Sequence, residues 1–61
     1  MIIIDVCDAG AGYFYCVAAL YLRENGWLRV TDTATRMVPR DHIDLGVLAV
    51  QAELAAKAGA N

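Results

Sequence analysis

The side chains best suited to nucleophilic, acid–base or metal chemistry are few and far apart: Cys7, Cys16, His42 and the aspartates Asp5, Asp8, Asp32, Asp41 and Asp44. Structural zinc needs four ligands, usually with cysteines in C-x₂₋₄-C pairs, and Cys7 and Cys16 do not have that spacing. His42 lies between Asp41 and Asp44. Without a further ligand from elsewhere, it reads as an exposed histidine at a helix entrance. Asp8 and Asp32 could share a Mg²⁺ if both stood at one strand edge, but aspartates at such positions commonly cap turns. No nucleophile motif accompanies His42 or either cysteine. The expectation is a non-catalytic protein with no resident metal or cofactor. Two cysteines are too few for a disulfide scaffold and read as buried apolar thiols of a reducing compartment. The alternative is a Cys7–Cys16 bridge, should residues 1–23 form a hairpin that sets the two opposite each other.

The elements that would position these residues start with a β-branched run, broken only by Asp5, which reads as a strand over 2–7. By alternation Asp5 shares a face with Ile3 and Cys7, opposite Ile2, Ile4 and Val6. If helices cover only one face, Asp5 marks the uncovered one. The small-residue loop Asp8-Ala9-Gly10-Ala11-Gly12 follows. Residues 12–25 are ambiguous. Tyr13-Phe14-Tyr15-Cys16-Val17 has strand propensity, whereas Ala18-Ala19-Leu20-Tyr21-Leu22 forms helix well. Asn25-Gly26 serves either as a helix stop or as a two-residue hairpin turn. As a hairpin it pairs Arg23 with Leu28 and Leu22 with Arg29, and neither face becomes cleanly apolar. The helix is therefore the preferred reading.

A strand over 27–31 comes next, then a turn or bulge at Thr31-Asp32-Thr33-Ala34 and a short third strand over 35–38 ended by Pro39. The last segment reads as a helix over 42–57. Asp41 is available to cap it, and Asp44 suits the positive end of its dipole. Ile43, Val47, Val50 and Leu54 form its apolar stripe, widened by Leu48. Glu53 and Lys57 make an i,i+4 pair, Gly59 is the stop, and residues 55–61 are expected to fray. Gly46 inside this helix costs roughly 1 kcal/mol against alanine and suggests close packing. The expected class is thus α/β (α+β), a single two-layer domain over 1–61 in the order strand–helix–strand–(short strand)–helix. The alternative is a three-stranded meander of residues 2–38 packed on the C-terminal helix.

With the helix reading, residues 2–32 resemble the first βαβ unit of Rossmann-type dinucleotide-binding proteins. The resemblance is carried by Gly10-Ala11-Gly12, Ala18-Ala19-Leu20-Tyr21-Leu22, Asn25-Gly26 and a strand ending in Asp32, twenty residues after Gly12. It implies that Gly10 and Gly12 would let backbone N–H groups and a helix N-terminus meet a pyrophosphate, and that Asp32 would bind ribose hydroxyls. Tyr15 stands where the family has its third glycine, and the second half that closes the nucleotide crevice has no counterpart. A half-domain completed by dimerisation is the functional alternative this resemblance supports.

Composition sets the remaining bounds. The chain has 61 residues, 59% of them hydrophobic and 20% charged, with five Lys+Arg against seven Asp+Glu. That balance offers no basic footprint for nucleic acid, although Tyr13, Phe14, Tyr15, Tyr21 and Trp27 could stack on bases. The uncharged stretch over 9–22 is shorter than the ~20 residues that span a bilayer, and no basic segment precedes it, so neither a membrane span nor a signal peptide is expected. A cytoplasmic protein of a bacterial or phage-infected cell is the expectation.

A sheet of two or three strands with two helices cannot hide so many apolar side chains. Exposed apolar patches generally mean an interface, and small domains often gain stability by association. The expected function is a small interaction protein, an inhibitor or regulator that binds a protein partner, forms a homodimer, or both. Phage-encoded blockers of host defence, anti-CRISPR proteins among them, are one such group. The candidate interface residues are Ile3, Asp5, Tyr13, Tyr15, Tyr21 and Trp27.

Overall fold

The computed structural model describes residues 1–59. Three strands, β1 (Ile2–Gly10), β2 (Tyr13–Glu24) and β3 (Trp27–Pro39), form one antiparallel sheet in the order β1-β2-β3. A 3₁₀ turn over Arg40–His42 leads into a single helix, α1 (Ile43–Gly59), which packs on β2 and β3. The two-layer domain expected from sequence is present, as the meander with a C-terminal helix. The strand–helix–strand order is not.

The difference lies in residues 12–25, where the expected helix is the central strand. Asn25 and Gly26 both take positive φ, 51° and 83°. A helix stop needs one left-handed residue; two in succession make the I′ turn whose twist matches a hairpin. Once β2 is flanked by strands on both sides, its backbone groups are satisfied without a helix. The helix propensity of Ala18-Ala19-Leu20 is a few tenths of a kcal/mol per residue, too weak to oppose this. Arg23 pairs with Leu28 and Leu22 with Arg29, and Leu22 and Leu28 stay exposed.

The other boundaries also extend. β1 continues past residue 7 to a second tight turn, where Gly10 pairs with Tyr13 across Ala11 (φ 55°) and Gly12 (φ 83°). The expected strands 27–31 and 35–38 are one strand. Leu20 pairs with Asp32 but Tyr21 with Val30, so Thr31 is an inserted residue, a β-bulge; its hydroxyl donates to the Leu20 carbonyl at 3.3 Å. Asp41 sits inside the 3₁₀ turn, whose preceding residue Pro39 makes no side-chain cap. The helix continues to Gly59. Residues 60 and 61, the end of the expected fraying segment, lie outside the described residues.

The core is thin. Cys16, Ala18, Ala34 and Val38 of the sheet meet Val50 and Leu54 of the helix, flanked by Ile4, Leu20, Ile43 and Val47. The small residues let the helix come close. A Cβ on Gly46 would lie 2.7 Å from Cys16 Sγ and 3.0 Å from both Val38 methyl carbons. Leu48, expected to widen the core stripe, instead points outward with 61% exposure.

Candidate functional site

Antiparallel strands alternate their side chains between two faces, so the buried residues fix which face is which. Cys16 and Ala18 lie under the helix, together with Ala34, Val38 and Ile4. The opposite face then carries Ile3, Asp5 and Cys7 from β1, Tyr13, Tyr15, Val17, Ala19, Tyr21 and Arg23 from β2, and Thr33, Thr35 and Met37 from β3. Beyond the bulge Val30 and Leu28 join it, opposite Tyr21 and Arg23. No element among the described residues covers this face.

The register assembles these side chains into rows across the sheet. Cys7, Tyr15 and Met37 form one, Asp5, Val17 and Thr35 the next, and Ile3, Ala19 and Thr33 the third. Tyr15 and Met37 are 47% and 53% exposed. Asp5 and Arg23 are the charged residues of the face. The Asp5 carboxylate accepts the Val6 N–H at 2.9 Å and faces Cys7 Sγ at 3.9 Å, so it is held locally at the β1 edge. What this surface offers is apolar and aromatic contact area with tyrosine hydroxyls and one carboxylate as polar handles.

Five of the six candidate interface residues, Ile3, Asp5, Tyr13, Tyr15 and Tyr21, come together here. Trp27 does not. It follows the Asn25-Gly26 turn, pairs with Glu24 and is 76% exposed at the tip of the hairpin. Val17, Leu28, Val30 and Met37 belong to the face and were missed. The signal was present in the alternation Tyr13, Tyr15, Val17, Ala19, Tyr21, but it has meaning only once this segment is a strand.

The other candidate sites are dispersed. Gly10 and Gly12 belong to the β1–β2 turn, which opens a strand and not a helix, so no helix N-terminus faces the glycines. Asp32 pairs with Leu20, seven residues along β2 from Tyr13, which separates it from the turn by roughly 24 Å. The pyrophosphate and ribose contacts implied by the dinucleotide-binding resemblance are therefore not assembled. Asp8 pairs with Phe14 and its carboxylate accepts the Gly10 N–H at 2.7 Å. Asp8 and Asp32 lie about 20 Å apart along the sheet, too far to share a cation.

His42 is exposed at the end of the 3₁₀ turn, and no group of three or more potential metal ligands occurs among the described residues. Cys7 pairs with Tyr15 and Cys16 with Val6, on opposite faces of the sheet. Both thiols are free, and only Cys16 is buried as expected. The hairpin forms, yet the bridge cannot, because the two residues are out of phase in the pleat.

No helix among the described residues is long and apolar enough to cross a membrane. The described residues enclose no pocket, so the candidate site is a surface. Compared with protein-family models, curated proteins and solved structures, the chain matches none.

Proposed function

We propose that this chain is a non-catalytic interaction protein, an inhibitor or regulator that docks on a protein partner through the uncovered face of its sheet. The observation that carries this reading is the row Cys7–Tyr15–Met37 with its neighbours Ile3, Val17 and Tyr21, apolar or aromatic, in register and uncovered. A face with only Asp5 and Arg23 for charge suits a protein surface better than a phosphate backbone. Tyrosines supply contact area at low entropic cost, and tyrosine is among the residues enriched at binding hot spots. The mechanism is steric: a flat plate, 12 Å through its thinnest Cα dimension, laid over a functional surface of the partner. Blockers of host defence encoded by phage, anti-CRISPR proteins included, are the class of inhibitor this proposal has in view. Two unpaired thiols, one exposed, favour action in the cytoplasm of the infected cell.

The test is affinity purification of the tagged full chain from its native host, followed by direct binding with the purified partner. Tyr15→Glu combined with Met37→Glu should keep the circular dichroism spectrum and weaken binding at least tenfold, because both side chains are exposed in the free protein. Unchanged affinity of the double variant for that partner would overturn the assignment of this face.

A further inference from the structure

The two edges of the sheet are not equivalent. Met1 and Tyr21 exchange both backbone hydrogen bonds, Tyr21 N–H to Met1 carbonyl at 2.8 Å and Met1 amine to Tyr21 carbonyl at 3.1 Å. In an antiparallel ladder such pairs alternate, so Ile3, Asp5 and Cys7 also bond to β2. Ile2, Ile4 and Val6 then direct their N–H and C=O groups away from the sheet. The β2–β3 side confirms the phase: Arg40 N–H donates to the Gly12 carbonyl, which gives the even residues of β2 to β3 and the odd ones to β1.

The β3 edge is partly blocked. Thr33, Thr35, Met37 and Pro39 face outward there; Pro39 has no N–H, and Lys57 from the helix donates to the Thr33 carbonyl at 2.9 Å. Thr31 bulges the same strand. These are the usual defences of an edge. At the β1 edge the Val6 N–H finds only the side chain of its own neighbour, Asp5. The helix leans over β2 and β3, so Ile2 and Val6, on the helix side of β1, keep 44% and 37% of their surface exposed.

We propose that β1 pairs antiparallel with β1 of a second copy of this chain, about a two-fold axis at Ile4. Facing residues in such a pair lie on the same face of the sheet, so the axis must pass through a residue, and only a few centres exist. A centre at Asp5 sets two carboxylates against each other with Cβ atoms about 5 Å apart, which is repulsive. A centre at Val6 puts Asp8 opposite Ile4 and runs into the irregularity between Asp8 and Gly10. A centre at Ile3 leaves Val6 unpaired.

At Ile4 the outward row is matched throughout. Ile4 faces Ile4 and Ile2 faces Val6, apolar against apolar, with both backbone groups of each residue satisfied. On the opposite face Asp5 meets Ile3 instead of another acid. The Val6 N–H exchanges the Asp5 carboxylate for a partner carbonyl. The product is a continuous six-stranded sheet with both helices on one side and two uncovered faces side by side on the other.

The size of the single chain agrees with this. Its radius of gyration is 12.7 Å, where about 10.5 Å is usual for 61 residues. Its accessible surface is 4344 Å², against about 3,900 Å² for a folded monomer of 6.6 kDa. The excess, roughly 450 Å², is over half of what one partner buries in a standard interface.

Analytical ultracentrifugation of the full chain, from micromolar to sub-millimolar concentration, should give twice the mass of the chain. Ile4→Cys in a Cys7→Ser background should cross-link to itself on mild oxidation, because Cα atoms of a hydrogen-bonded pair lie about 5.5 Å apart. Ile2→Cys in the same background should not, being offset from its copy by about 13 Å and paired within the chain with Leu20. Val6→Pro removes an N–H that β2 does not use, and Ile2→Lys charges an exposed position. Each should weaken the dimer at least tenfold while the monomer stays folded by circular dichroism. A folded wild-type chain that stays monomeric throughout would overturn the proposal. So would a dimer that fails to cross-link through residue 4 and survives both Val6→Pro and Ile2→Lys.

Discussion

Single residues decide how tightly the two layers fit. Gly46 stands where a Cβ would meet Cys16 Sγ at 2.7 Å, closer than side chains pack. Gly46→Ala gains roughly 1 kcal/mol of helix propensity yet drives a methyl group into the core, which typically costs about 1–3 kcal/mol. The Val38 methyl carbons at 3.0 Å leave the neighbours little room, so the clash outweighs the propensity gain. Net destabilisation in urea unfolding is the expected outcome, and a rise in the midpoint would contradict the close contact.

Ala11 is the reverse case. It holds φ at 55° with a side chain that disfavours that conformation by about 1–2 kcal/mol. Ala11→Asn should therefore stabilise the chain by roughly 0.5–1 kcal/mol, visible as a higher melting temperature. The discomfort at Gly46 was legible in the sequence as an oddity inside a helix. That its neighbours are Cys16 and Val38, 30 and 8 residues away in the chain, was not.

At the level of elements, the molecule turns on how residues 13–24 are used. Their local preferences conflict, aromatic and β-branched first, helix-forming afterwards, and no local rule outweighs the rest. The conflict ends in the Asn25-Gly26 turn, where two successive left-handed residues favour a hairpin. Gly26→Val should cost about 1–2 kcal/mol, since a β-branched residue at φ 83° is strained whatever space surrounds it. In the same variant, carbon chemical shifts of the residual folded population should still report strand over β2, because pairing on both of its sides remains. A shift pattern moving to helix would mean that the turn alone dictates the element.

The C-terminal helix was legible at nearly its full length because its stripe of Ile43, Val47, Val50 and Leu54 repeats at helical spacing. Leu45 and Leu48, exposed on its back, show why the width of the stripe was not. The helix is apolar on more than one side, and spacing alone does not say which side meets the sheet.

At the scale of the whole molecule, stability rests on very little buried volume. Total stability for a chain of this length is about 3–9 kcal/mol at the usual per-residue value. Leu54 is the largest fully buried side chain, and Leu54→Ala should cost about 2–5 kcal/mol. That is a large share of the whole, so a substantial unfolded population is expected at 37 °C by circular dichroism. Trp27→Ala, at a position 76% exposed, should leave the melting temperature within a degree or two and serves as the matched control. Should both variants melt alike, the helix–sheet layer would not be the core.

Composition and periodicity are properties of the chain taken in order, and they were enough for the first strand, the C-terminal helix and the apolar surplus. The sequence also brought out Ile3, Asp5, Tyr13, Tyr15 and Tyr21 one by one as surface candidates. That they share one face is a result of strand pairing. Side-chain direction in a sheet follows from strand register, and register is set by pairing between residues distant in sequence, here Cys7 with Tyr15 and Tyr15 with Met37. The same long-range pairing put Cys7 and Cys16 on opposite sides, and it set Gly12 and Asp32 far apart. It also left β1 as the edge without the proline, the bulge and the lysine contact that interrupt β3.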